Sequence, residues 1–236
     1  MKRCCLLLLG LVALVVGCQK EHPISVFVDP DFVKVAEGVS VVDKIAVLPF
    51  ASALNTADDP DGMAPRTMNR LFTPLLDARR DYSFISPGTV HFAVEREGWL
   101  GRYDKFLTEY SKTDVPDTKF LMELAGALRC DAFLVPVVDT WYKDEVDVNE
   151  NASASTTVGA TITIIDAKES PGKILFRATD ETYLESAYSE AEDRGVIRDA
   201  SGAIRADRGA KVFRAPNYDD VAVKVCEVLA ICLPPR

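Results

Sequence analysis

The stretch LAGALRCDAFLVPVVDTW, residues 124–141, changes its apolar rhythm halfway along. Leu124, Ala125 and Leu128 continue a stripe begun by Phe120 and Leu121, the spacing of one helix face, and Pro116-Asp117 stands ahead of it as a start signal. From Cys130 to Trp141 the residues are almost all apolar, the profile of a buried strand. A helix feeding such a strand is the building unit of an α/β sheet with helices packed on it. Pro136 predicts a bulge or an edge within the strand, because proline has no N–H to give to a neighbour.

Upstream, VDKIAVLPF (42–50) is a second short apolar run, stopped by Pro49, and reads as a strand buried on both faces. The polar loop 55–62 follows. Its Asp58-Asp59-Pro60-Asp61 imitates a calcium loop, but counting back from Gly62 puts Ala57 at the first ligand position and no Glu closes the loop. These acids therefore read as solvated turn and helix-cap residues. Met68, Leu71, Phe72, Leu75 and Leu76 make one face of an amphipathic helix. Pro74 predicts a kink, or a restart with Thr73 as cap. YSFIS (82–86) is a further strand, and residues 89–99 and 103–110 read as short helices.

Downstream, TTVGATITIID (156–166) alternates Val158, Ala160, Ile162 and Ile164 with Thr157, Thr161 and Thr163. The apolar row is expected to face inward and the threonines water. Pro171-Gly172 marks a turn, and residues 174–184 return as the antiparallel partner, making a terminal hairpin. Residues 187–216 are polar, with charges of both signs, and read as a long flexible insertion. A last helix is expected over 217–232, with Val221, Val225, Val228, Leu229 and Cys232 on one side and Pro234-Pro235 ending it. The whole is one α/β domain over 42–236, a mixed sheet with helices packed on it.

The amino-terminal 17 residues are of another kind. Lys2 and Arg3 precede an apolar run too short to cross about 30 Å of hydrocarbon, the layout of a signal peptide. Val15-Val16-Gly17-Cys18 resembles a bacterial lipobox, which implies lipidation of Cys18 as the new amino terminus. Several acyl chains, each buried methylene worth about 0.8 kcal/mol, hold firmly. Gln19 after the cysteine implies transfer to the outer membrane, with the domain on the periplasmic face. Residues 18–41 then read as a lipidated tether, interrupted by Pro23 and Pro30.

Formal charge is −9 for the chain and −11 without Lys2 and Arg3. With no basic patch, nucleic acid is not an expected partner. Of the six cysteines, Cys130, Cys226 and Cys232 stay in the domain. Cys226 and Cys232 lie about 9 Å apart along one helix, too far for a disulfide with each other. Cys130 is left to pair with Cys226 or Cys232, or all three are buried thiols. Of two histidines only His91 falls in the domain, among Val90, Phe92 and Val94, so neither a metal nor a cofactor is expected. No GxSxG, HExxH, P-loop or GxGxxG occurs. Trp141 and Tyr142 leave a strand end beside Asp144, Glu145 and Asp147, which makes them candidates for partner contact or for capping the domain's own core.

Taken in order, KIAVLPF after a lipidated tether, Pro74-Leu75-Leu76, YSFISP, LAGALRCDAFLVPVVDTW and ITIIDAKESPGKILFRATDE resemble a group of small bacterial lipoproteins. The group is related to the curli-secretion channel subunit and to the amino-terminal domain of TolB, and includes penicillin-binding-protein activator lipoproteins. The resemblance covers about residues 42–186 and implies roles in envelope assembly or export. The expectation is a non-catalytic binding or assembly component with an envelope protein partner. The alternatives are a subunit of an oligomeric secretion channel, hence a homo-oligomer, and a cell-wall-acting enzyme. The channel reading lacks hairpins of the length and pattern that span membranes. The enzyme reading requires two acids converging in a cleft.

Overall fold

A four-residue strand from the expected tether begins the sheet: β1, Ser25–Val28, pairs antiparallel with a strand 150 residues later. The computed structural model describes residues 24–30, 32, 42–144, 154–185, 193–198, 204–208 and 215–235. Phe32, just past β1, is buried between Tyr82 and Phe176. The reading of 18–41 as tether thus fails at Ser25–Val28 and at Phe32, because Val26, Phe27 and Val28 extend readily as a strand once a partner edge exists.

In chain order there follow β2 (Lys44–Val47), β3 (Ala51–Ser52), α1 (Met63–Ala78), β4 (Ser83–Ile85), α2 (Pro87–Arg96), α3 (Leu100–Thr113), α4 (Thr118–Leu128), β5 (Ala132–Asp144), β6 (Ser155–Asp166), β7 (Ile174–Glu185), β8 (Asp193–Arg198), β9 (Ile204–Arg208) and α5 (Tyr218–Cys232). The main sheet runs β1-β7-β6-β5-β2-β4, with β3 also on β5. β4, β2 and β5 are parallel, while β5, β6, β7 and β1 are antiparallel, so the sheet is mixed and the fold is α/β.

Each face of the sheet has its own core. Ile45, Val47, Leu134, Val138, Ile162 and Ile164 meet Met68 and Phe72 of α1 and Val221, Val225 and Leu229 of α5. On the other face Ala46, Leu48, Phe133, Val135 and Ile165 meet Val90 of α2, Phe106 of α3 and Leu124 of α4. Two of the helix starts use acids that their sequences offer. Asp59 accepts from the N–H groups of Met63 and Ala64 at 2.8 and 2.9 Å, and Asp117 accepts from Phe120 at 3.0 Å. Arg79 donates to the carbonyls of Ala230 and Leu233 at 2.9 Å each, holding the carboxyl end of α5 where a cation suits the helix dipole.

At two prolines the structure corrects the expectation. α1 runs unbroken through Pro74, and Thr73 is no cap: its hydroxyl donates to the Asn69 carbonyl one turn back, at 2.8 Å. Pro136 sits in the sheet's centre, neither at an edge nor at a bulge. Leu134 and Val138 accept from Leu48 and Ala53, so Pro136, in phase with them, turns its missing donor toward the gap between β2 and β3. The bulge comes three residues later, at Asp139. Within the insertion, β8 and β9 pair antiparallel; the rest of 187–214 lies outside the described residues. Finally, Cys130, Cys226 and Cys232 are free thiols. Cys130 belongs to the core of one sheet face and Cys226 to that of the other, so the sheet itself separates them. Burial pushes both thiols up to about 12.

Candidate functional site

At one end of the sheet, where β5 stops, the loop before α1 and the start of α5 close around a cleft of about 700 Å³. Trp141 forms its inner wall: only 6% exposed, the indole stacks on Tyr218 with centroids 4.3 Å apart and planes 10° from parallel. The Lys143 ammonium lies over the other ring of the pair, 5.8 Å from the Tyr218 centroid. Asp58, Asp59 and Asp61 from the loop and Asp219 and Asp220 from the first turn of α5 make the rim acidic. Three of these acids are engaged: Asp58 accepts from the Asn55 amide at 3.4 Å, Asp59 caps α1, and Asp219 forms a 2.6 Å ion pair with Arg70. Asp58 and Asp61 stand exposed.

The two aromatic candidates part company here. A strand turns successive side chains to opposite faces, so Trp141 goes into the core and cleft wall while Tyr142 stands 57% exposed on the reverse side. Trp141 thus belongs both to the core and to the cleft lining. Tyr218 and the acids on either side of the cleft were missed, since loop 55–62, Trp141 and α5 meet only through the fold. Of the acidic run after Tyr142, Asp144 ends β5, and Glu145 and Asp147 lie outside the described residues, as does Cys18.

A second polar cluster lies on the reverse face, over β6. The bulge lays the Asp139 carboxylate across Gly159, where a Cβ would fall 2.7 Å from its Oδ1. Thr161 donates to Asp139 Oδ2 at 2.9 Å and lies 3.0 Å from the Thr179 hydroxyl, while Thr140 donates to Glu181 at 3.0 Å. Burial, with the Glu181 charge adding to it, raises the Asp139 carboxyl above its usual range against the pull of the threonine hydrogen bonds. Thr163, expected in water, is 1% exposed because Arg177 reaches over it, 3.3 Å from its hydroxyl, to pair with Asp114 at 2.6 Å. His91 is exposed on α2, across the sheet from the cleft. No group of three or more His, Cys, Asp or Glu among the described residues is placed to hold a metal ion. No described helix is long and apolar enough to cross a membrane.

No protein-family model and no curated protein matches the chain. Among solved structures it is similar to lipoprotein GNA1162 from Neisseria meningitidis, with a TM-score of 0.41, 18% identity, and coverage of 62% of this chain and 86% of that one. It is also similar to the PelC dodecamer from Paraburkholderia phytofirmans, with a TM-score of 0.42, 15% identity, and coverage of 91% and 99%. The LpoB C-terminal domain from Salmonella enterica gives a TM-score of 0.34 and 13% identity over 62% and 87%. The neighbours thus include bacterial lipoproteins, whereas the resemblances to the curli channel and to TolB are not shown. At these scores and identities none of the three fixes an activity, a partner or an assembly state for this chain.

Proposed function

We propose that this chain is a lipid-anchored protein of the bacterial envelope, held at Cys18 on the periplasmic face of the outer membrane. It acts without catalysis, as a binding or assembly component of an envelope or transport complex. The observation that carries the reading is the cleft beneath Trp141 and Tyr218. It offers a rigid aromatic wall and an acidic rim, the mixture of anchor and orienting charge that suits protein recognition. Two of its carboxylates serve helix capping and an ion pair, tasks of structure more than of proton transfer. His91, the one histidine of the domain, lies across the sheet.

The test is crosslinking in living cells followed by recovery from membranes, comparing wild type, Cys18→Ala and Asp61→Lys. One envelope protein should be recovered with wild type, lost with Cys18→Ala, and reduced at least tenfold by charge reversal at Asp61. Recovery of self-crosslinked multimers alone would favour the channel reading. Wild-type protein free of membranes would refute the anchor.

A further inference from the structure

The two edges of the sheet are built differently. β4 is three residues long, lies between Asp81 and Pro87, and so offers little to a stray strand. β1 carries no charge and no proline. Ile24, Val26, Phe27 and Val28 are 47%, 47%, 50% and 41% exposed, four of the eleven exposed large hydrophobic side chains among the described residues. The other seven stand singly along the sequence. Because neighbouring strand residues face opposite ways, exposure at Val26, Phe27 and Val28 leaves both sides of the strand uncovered. Asp29 donates to Leu175, so the residues in phase with it face β7. Val26 and Val28, out of phase, turn their backbone groups to the outer rim, where no described strand pairs with them.

We infer that this edge beds into the membrane surface beside the anchor, with Ile24, Val26, Phe27 and Val28 among the headgroups and upper acyl chains. The inference rests on lipidation of Cys18. Five residues lie between Cys18 and Ile24, six Cα-to-Cα steps with a reach of at most about 22 Å. Over that distance the bilayer is presented to β1 at high effective concentration, so a small apolar contact suffices. The outer rim's backbone groups remain satisfied, because the interface supplies water and headgroup oxygens that the hydrocarbon core lacks. A mature charge of −11, from −9 less two basic residues, makes the contact apolar rather than electrostatic.

The test replaces Phe27 with the photocrosslinker p-benzoylphenylalanine in the full-length protein in cells, with Phe92, 64% exposed on α2, as control. Acyl labelling and membrane fractionation are run on the same samples. Phospholipid adducts at position 27 should exceed those at position 92 at least tenfold and persist at raised salt. A protein-sized adduct, a dimer of the chain, or lipid adducts no more frequent than at 92 would overturn the inference while acylation and fractionation left the anchor standing. Protein that is neither acylated nor membrane-bound would overturn both.

Discussion

Asp131 and Asp139 are carboxylates eight positions apart whose surroundings act in opposite directions. Burial pushes Asp131 up, but donors from Lys44 N–H, the Lys168 ammonium and Asp43 N–H outweigh it and hold the carboxyl below its usual range. A carboxyl lowered by folding adds stability above its unfolded value, near 3.9, and loses that stability as pH falls through the folded value. Asp131→Asn should therefore lower Tm at pH 7, and the difference should vanish in acid. Asp139 is raised by folding, so its ionised form costs stability at neutral pH. Asp139→Asn keeps an acceptor for Thr161 and should raise Tm at pH 7, the gain disappearing as pH falls through the raised value. Thermal melts from pH 3 to 8 check both signs. Gly159→Ala, which places a methyl 2.7 Å from the Asp139 carboxylate, should cost about 1–3 kcal/mol in denaturant melts. In Gly159→Ala/Asp139→Ser only part of that loss should be recovered, because Thr140 Cβ and Oγ1 would still lie 2.9 Å from the added methyl.

At the scale of elements, β5 explains why its last residues differ in role. Trp141 closes the core face and supports the stack with Tyr218, so Trp141→Ala should cost about 3–5 kcal/mol. Tyr142, on the opposite face, is solvated, and Tyr142→Ala should change stability by no more than about 0.5 kcal/mol. Denaturant melts separate the two. A loss of partner recovery with Tyr142→Ala would mark a second contact surface. The helical stripes 68–76 and 120–128 were legible because burial of one face imposes their spacing on the sequence. Pro136 misled because it is tolerated for a reason outside its own element, the gap between β2 and β3.

Across the whole molecule, α5 covers one face of the sheet and is held at its far end by Arg79 and by Tyr82, whose hydroxyl donates to Pro234 at 3.1 Å. Removing residues 217–236 should uncover Val158, Ile162 and Ala178 and abolish the cooperative thermal transition seen by circular dichroism. The sequence by itself determined the α/β class, the order of the longer helices and strands from 42 to 186, the hairpin 156–184 and the last helix. All of these follow from local periodicity or from residues adjacent in the chain. Only the tertiary structure decided that part of the expected tether is an edge strand and that Cys130 and Cys226 lie on opposite faces of the sheet. It alone brought Trp141 together with Tyr218 and the acids of loop 55–62. Such contacts join residues some 75 to 160 positions apart, and their partners are chosen by packing geometry, which leaves no period or spacing in the chain.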